Sequence, residues 1–567
     1  MKGKQLLFFA IFCLFINIKL KGQGIPSGYP IFEEAIRRHQ LSSKFDSSYS
    51  FNLRPIQMPI KRDSKSKENY DLFQFGSSNY LNNEKELKGK YLFVLPIRNS
   101  IKFTSKRPYG YGDGVMIPSV GFQNLFSAGV FLKFKFLSVQ LYPEFVFAEN
   151  KKYDGLPIGY SDAFYKARYI NWNLGDTPER IGKIGYSKFG LGQSKISLNY
   201  GAFEVGVASQ NIWWGPGQFN ALIFSNNADG FPHLTFNTTK PAKTLVGNFE
   251  GQILMGKLTN SGTEPSQINE LNDKYYDPLP NDDKYLNGIM ISYNPKWIPG
   301  LFLGFTRTYQ QYFEDNDGSF KYYFPIFETF TKNKLFEGGN SVEYDGRRQD
   351  QQISIFGRYN LSKAKAEIYF EFGRRDHAYN WREFILNPEH ARAYLLGFKK
   401  LFSLPVKNKF LQVRGEMLQQ QGSINGLIRY KNSSGGAWST HYQLRGFVNN
   451  GQPLGGGIGT GSNSQNIEIS LIEDLNKFGL LFERIANHQD VYYLGLGMQE
   501  EKQPWVDLSL GFLFDYQWDR FLLSSRLQMI NGLNYQWQLD PASTEEFPVG
   551  KDKFSVFAQA HLIYLLK

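Results

Sequence analysis

From Tyr91 to the C terminus the chain alternates apolar and polar residues with a period of two, the repeat of a strand that shows one face to each of two environments. In Ala128-Gly129-Val130-Phe131-Leu132-Lys133-Phe134-Lys135-Phe136 the even positions are apolar. After a turn near Leu137-Ser138 the apolar set continues at Val139, Leu141, Phe145 and Phe147. This spacing predicts two antiparallel strands joined by a tight turn. The same alternation sets Ala364, Ala366, Ile368, Phe370 and Phe372 against Lys365, Glu367, Tyr369 and Glu371. It recurs with Val506, Leu508, Leu510, Phe512 and Phe514 against Asp507, Ser509 and Asp515. Charged residues at every second position cannot face lipid, so they are assigned to a wet lumen, which a barrel has and a dry-cored sandwich lacks. With 478 residues after position 89 and on the order of 25 residues per spanning strand and its connection, about eighteen strands are expected, good to two either way.

Longer polar stretches interrupt the pattern at Leu258 to Tyr285, Glu314 to Phe320, Gly338 to Asp350 and Asn449 to Gln465. They exceed periplasmic turns in length and are assigned to the outside of the cell. The Gly-rich run Gly455 to Gly461 lacks dinucleotide-binding spacing and follows no βαβ unit, so it is read as a loop.

The N terminus differs. Lys2 and Lys4 precede an apolar core from Leu6 to Ile18 and small or polar residues around Gly22-Gln23-Gly24, the pattern of a secretory signal peptide over residues 1–23. Its removal takes away Cys13, the single cysteine, and leaves a mature chain held by a hydrogen-bonded sheet rather than by disulfides. Tyr29 to Leu41 places Phe32, Ala35 and Ile36 on one face, the spacing of a short amphipathic helix. Lys61 to Lys67 and Asn82 to Lys90 do not alternate. Residues 24–89 are therefore read as a periplasmic, partly helical segment, with a loosely ordered arm as the alternative, and 90–567 as the barrel. The fold class is all-β, a closed antiparallel transmembrane barrel.

Composition agrees with this assignment. The chain holds 34 Tyr, 50 Phe, 9 Trp and 55 Gly, as aromatic girdles around a polar lumen require. A large soluble sandwich or propeller is the bland alternative. Beyond the signal, no apolar run approaches the roughly eighteen residues of a membrane helix. Four leader lysines account for a third of the formal +12 and leave +8 for the mature chain. That excess suits anionic lipid headgroups or an acidic glycan, and no nucleic-acid module accompanies it.

The most informative stretch is Val205 to Gly217, where alternating residues lead into Trp213-Trp214 and a Gly-Pro-Gly turn. It runs on through the apolar Ala221 to Phe224 into Ser225-Asn226-Asn227-Ala228-Asp229-Gly230-Phe231-Pro232-His233. Read locally, it is strand, tight turn, strand, loop. Other distinctive stretches are Arg107 to Gly114, Tyr142-Pro143-Glu144 with Ala148-Glu149-Asn150, Asn294-Pro295 through Gly300-Leu301 to Gly304-Phe305-Thr306-Arg307, and Glu371 to Arg374 with Asp376. Asn387 to Tyr394, and His441 followed by Gly451 to Gly455, complete the series. In this order they resemble the Bacteroidetes branch of the Wzi-type capsule assembly proteins. The resemblance implies an eighteen-stranded outer-membrane barrel of a Gram-negative cell, with an N-terminal segment packed at its periplasmic mouth. It also implies a lectin role toward capsular or other exported polysaccharide, with outer-membrane lipid and the polysaccharide export machinery as partners. The end, Tyr564-Leu565-Leu566-Lys567, departs from the usual terminal aromatic of outer-membrane proteins.

Catalytic and metal chemistry find little support. The seven histidines form no His-x-His or His-Glu-x-x-His, and Asp315-Asn316-Asp317-Gly318 lacks the later ligands of a calcium loop. Ser439 and His441 would share a strand face, but no third member or oxyanion donor accompanies them. No cofactor and no enzymatic activity are expected. Sugar recognition needs aromatic faces beside amide, carboxylate and imidazole groups. Trp213, Trp214, Asn226, Asn227, Asp229 and His233 provide them and form the candidate polysaccharide site, against the alternative that the tryptophans belong to the aromatic girdle or fill the barrel wall. Arg307, Arg358, Glu371, Arg374 and Arg375 form a candidate lumen charge network. A surface lectin is the expected function, with a porin or glycan-uptake channel and an outer-membrane hydrolase as alternatives.

Overall fold

The period-two pattern closes on itself in the computed structural model, which describes residues 22–59 and 90–566 apart from 329, 333–335, 342–344, 379, 407, 424–436 and 498–501. Residues 1–21 of the leader and the polar stretches 61–67 and 82–89 fall outside the described residues. The first strands of the barrel are β1 Lys90–Thr104, β2 Gly121–Phe134, β3 Leu137–Leu141 resuming as Glu144–Ala148, β4 Tyr186–Gly190 resuming as Lys195–Tyr200, and β5 Phe203–Ala208. Next come β6 His233–Thr238 resuming as Ala242–Lys243, β7 Gly247–Leu258, β8 Lys284–Pro295, β9 Leu301–Tyr312, β10 Asp350–Leu361 and β11 Ala366–Arg375. The last are β12 Arg392–Ser403, β13 Lys409–Gln419, β14 Asn463–Glu473, β15 Asn476–Ala486, β16 Val506–Trp518, β17 Phe521–Leu533 and β18 Lys553–Tyr564. Each broken strand keeps one neighbour across its break, so eighteen antiparallel strands run around the wall, and β18 bonds back to β1 from Tyr564↔Ile97 to Phe557↔Thr104.

One end of the barrel has short connections. The two-residue turns Lys135-Phe136, Asp474-Leu475 and Asp519-Arg520 join consecutive strands. The opposite end carries the long polar insertions, and with them α2 (Asp162–Gly175), α3 (Asn269–Tyr275) and α4 (Gln489–Gly495). Alternation sorts side chains as expected: Ile368, Phe370, Leu508, Phe512 and Phe514 point outward and are exposed, while Glu367, Tyr369, Glu371, Asp507 and Asp515 point inward and are buried. At the short-turn rim Phe514, Tyr516, Trp518 and Phe521 stack in sequence.

The lumen to which the inward charges are assigned is occupied by protein. It is filled by two inserted pieces of chain that meet. From the short-turn end enters α1 (Phe32–Leu41), whose ten residues are too few to be stable alone in water. Docking holds it. Glu34 lies 3.4 Å from Arg414 and 3.0 Å from Lys477, and Arg37 reaches Glu367 at 2.8 Å. From the long-loop end residues 209–232 fold inward. Trp213–Trp214 and Leu53–Arg54 form a two-stranded sheet inside the barrel. Arg54 ties the pieces further, donating to the Gly217 carbonyl at 2.8 Å while pairing with Glu33 at 2.7 Å. Around this junction Trp214, Leu222, Ile223, Phe224 and Phe231 pack against wall residues Leu254, Leu286, Met290 and Phe356. Alternation separates lipid-facing from lumen-facing positions, and it does not say whether water or protein occupies the lumen.

Candidate functional site

The stretch around the double tryptophan is a buried linchpin. Ala221 to Phe224 form no strand; they run through the core as a loop in which Leu222, Ile223 and Phe224 join the central apolar cluster and Ala221 is buried beside them. The Trp214 indole N–H donates to Gln252 Oε1 at 2.7 Å, and its ring stands edge-on to Phe224 at 4.7 Å. Trp213 lies beneath the Arg54 guanidinium, 4.6 Å from its ring centroid. The turn demands glycine: Gly215 has φ +97°, and a Cβ on Gly217 would sit 1.8 Å from the Asn220 carbonyl oxygen. Beyond it the Glu416 carboxylate accepts from the backbone N–H groups of Gln218 and Asn220, both at 2.6 Å.

All six residues expected to bind polysaccharide are buried. Asn226 donates to the Gly112 carbonyl at 2.9 Å, and Asn227 donates to the Pro453 carbonyl at 2.8 Å while accepting from Gly112 N–H. Asp229 pairs with Lys188 and accepts from Asn449 at 2.9 Å and Asn450 at 3.0 Å. His233 Nδ1 lies 2.8 Å from the Phe231 carbonyl. Asn226, Asn227 and Asp229 use these bonds to tie residues 209–232 to β4, to residues 107–114 and to residues 448–455. Asn227 also borders a cavity.

The expected lumen charge network divides into separate sets. Arg358 faces the lumen and pairs with Glu367 at 2.6 Å, and Arg375 faces it and pairs with Asp350 at 2.7 Å. Glu371 accepts from Ser354 at 2.8 Å and from the Leu222 N–H at 3.3 Å. Arg307 and Arg374 belong to the opposite face. They share the parity of the outward Leu303 and Phe370, and rim loops cover them from outside. Arg307 donates to the Glu328 carbonyl at 2.7 Å, and Arg374 donates to the Phe384 carbonyl at 2.8 Å. Ser439 and His441 lie in a loop rather than on a strand. His441 Nδ1 accepts from the Leu444 N–H at 3.0 Å, and the Ser439 hydroxyl accepts from Gly461 N–H. Among the described residues no group of three or more His, Cys, Asp or Glu is placed to hold a metal ion.

The long-loop mouth presents a surface that sequence reasoning did not assemble. The Ser161 hydroxyl caps α2 by accepting from Phe164 N–H at 3.3 Å. The helix packs through Phe164, Tyr169 and Trp172 into an aromatic cluster with Tyr492 of α4, Trp505, Tyr535 and Trp537. On its outer side lies a cleft of about 810 Å³ bounded by Ile170, Asp277, Asp315, Arg348, Tyr442 and Arg445. Two ion pairs frame it, Arg348 with Asp315 at 3.0 Å and Arg445 with Asp277 at 2.8 Å. Tyr442 shows 48% of its surface and Ile170 38%. The available signal was the set of polar insertions; which of them converge is a tertiary matter.

One titration in this cap can be tested. Asp490, in the first turn of α4, accepts from Gly422 N–H at 2.8 Å through one carboxylate oxygen, while the other has no donor. Burial pushes its carboxyl up to about 7. The unfolded chain would titrate near 3.9, so the stabilisation gained by protonating Asp490 in the fold is complete below that value and lost as pH rises through about 7. Amide protection factors in α4, corrected for intrinsic exchange, should therefore rise between pH 8 and pH 5.5. Asp490→Asn should flatten the profile; an unchanged profile in that variant would assign the effect to another group.

A family model described as capsule assembly protein Wzi matches residues 127–523. No curated protein matches the chain. Among solved structures, Wzi of Escherichia coli, described as an outer membrane protein involved in group 1 capsule assembly and a carbohydrate-binding β-barrel, aligns with a TM-score of 0.60 and 13% identity. The alignment covers 96% of this chain and 100% of that one. The outer membrane channel DcaP of Acinetobacter baumannii aligns with a TM-score of 0.32 at 8% identity, covering 84% of this chain and 98% of that one. At such identities the likeness to the first of these speaks to the fold.

Proposed function

The chain belongs to the Wzi family of capsule assembly proteins, and on that premise we propose that it is an outer-membrane surface lectin that holds capsular or another exported polysaccharide at the cell surface. In this reading the leader over residues 1–23 is removed on export, residues 24–89 form the periplasmic-side segment, and residues 90–567 form the barrel. The apolar outer face meets lipid, and the export machinery delivers the glycan. The observation that carries the proposal is the open cleft at the mouth above a lumen occupied by protein. Tyr442 offers a ring face for sugar C–H groups, and Arg348, Arg445, Asp277 and Asp315 offer hydrogen bonds to hydroxyls. A porin or uptake channel would need the space that residues 209–232 and α1 fill. Among the described residues no hydrolytic constellation adjoins the cleft.

Tyr442→Ala combined with Arg348→Ala should release polysaccharide into the medium at an unchanged level of the protein in the outer membrane. Losing a hydrogen-bonding and a stacking partner costs on the order of 1–3 kcal/mol, roughly ten- to hundredfold in affinity. The comparison is Asn226→Ala with Asp229→Ala. Release in that pair alone, with the cleft variant retaining its capsule, would move the glycan site from the cleft to the loop after the double tryptophan.

A further inference from the structure

A second cavity lies beneath α2, on the side away from the open cleft. It has a volume of about 200 Å³, and Tyr109, Trp172, Trp505 and Tyr535 line it together with Arg107 and Arg168. Both arginines are 3% exposed. Arg107 has a partner, since its Nη2 lies 2.6 Å from Asp507 Oδ1. Among the described residues Arg168 has no direct ion pair of that kind, and Glu179 acts on it from a greater distance. Its guanidinium lies 4.1 Å from the Trp172 ring, and Nε and Nη1 are buried without an acceptor. The neighbouring carboxylate, Glu179, is committed elsewhere: Oε1 accepts from Leu156 N–H at 2.5 Å and Oε2 from Gln267 N–H at 3.2 Å. Buried guanidinium N–H groups ordinarily find acceptors, and two of those on Arg168 have none in the protein. Here those two N–H groups border the cavity.

The geometry points to a site for one carboxylate-bearing sugar residue, a hexuronate, with its carboxylate on Arg168 and its C–H face against the aromatic wall. The space equals about seven waters at ~30 Å³ each, room for a single ring and not for a run of chain. Guanidinium and carboxylate match as a planar, charge-assisted pair. The remaining lining suits hydroxyls: Gln536 Oε1 is buried without a donor, and Asn487 and the neutral His488, held well below its usual pKa by burial and by Arg168, complete the polar edge. Arg107, already neutralised by Asp507, contributes a donor edge rather than a net charge. This inference rests on the glycan-binding reading and specifies an acidic sugar within it.

The test uses the purified full-length mature protein in detergent and four probes: methyl glucuronide, methyl glucoside, acetate and sulfate. Trp172 and Trp505 line the space, so intrinsic fluorescence reports occupancy beside calorimetry. The glucuronide should bind at least about tenfold more tightly than the glucoside and than either small anion. Arg168→Gln should abolish that preference and Arg168→Lys should keep part of it. Equal affinity for the two glycosides overturns the proposal, as does a preference that survives in Arg168→Gln. Acetate or sulfate binding as tightly as the glucuronide would make this a small-anion site and overturns it too. Should Arg168→Gln fail to assemble, the two glycosides on the unaltered protein still decide. If neither glycoside binds while the cleft variant sheds capsule, the lectin reading stands and this inference alone falls.

Discussion

Trp214→Ala should leave the barrel wall in the membrane and loosen what fills it. Trp214 is fully buried, and it belongs to the inserted loop rather than to a wall strand. Its indole lies against Gly288 of β8, where a Cβ would come within 2.9 Å of the ring, so the wall is shaped to admit it. Removing the ring opens a cavity in the apolar cluster inside the barrel at about 3–5 kcal/mol, and leaves the Gln252 side chain without its donor. The loss falls on the docking of residues 209–232 and, through the Trp213–Trp214 pairing with Leu53–Arg54, on the N-terminal segment. Planar-bilayer recordings should show no large steady conductance from the unaltered protein and frequent openings from the variant. Heat-modifiable migration, which reports the wall, should be the same for both. A variant as silent as the parent would mean that the loop is held by its backbone and by Glu416 rather than by the ring.

Much of this architecture is legible in the sequence, for a reason that also sets the boundary. Glu367 beside Ile368, or Asp507 beside Leu508, can be satisfied only by a wall with two unlike faces, and the residue count then fixes the strand number near eighteen. Alternation says nothing about what lies across the lumen. The inward glycines 288 and 373 read as featureless positions until Trp214 and Trp438 are seen against them. For Arg307 and Arg374 the charge suggested the lumen, whereas parity with Leu303 and Phe370 placed them outside; at the rim, loops shelter an outward charge that mid-wall lipid would reject. The residues after the double tryptophan were legible as constrained but not as to purpose. An amide, a carboxylate and an imidazole beside aromatic rings suit a sugar, and they equally suit a buried loop whose own backbone must be satisfied. The cleft and the cavity under α2 draw on connections far apart in the chain, and no local pattern joins Arg168 to Trp505.

The clamp between α1 and the wall should be the other point of greatest sensitivity. Glu367 on β11 is completely buried and shared by two arginines, Arg37 of α1 at 2.8 Å and Arg358 of β10 at 2.6 Å. Arg358 in turn donates to the Ser50 carbonyl at 2.9 Å and to Gln40 at 2.8 Å, so two wall residues, Arg358 and Glu367, grip the N-terminal segment at three places. Glu367→Ala strands two guanidinium groups out of water, a cost of about 3–5 kcal/mol. The wall strands have a full ladder of backbone bonds to absorb such a change. The segment has few, so it should be the part that leaves. Trypsin is a direct reporter because Arg37 and Arg38 lie within α1 and are buried while it is docked. Cleavage there should be slow in the parent and fast in Glu367→Ala. Replacing Arg37, Glu367 and Arg358 together by methionine removes the stranded charges and should restore most of the protection, with Arg38 still present as the cutting site. Equal resistance of Glu367→Ala and the parent would show that the apolar packing of Phe32, Ile36 and Phe51 holds the segment without the clamp.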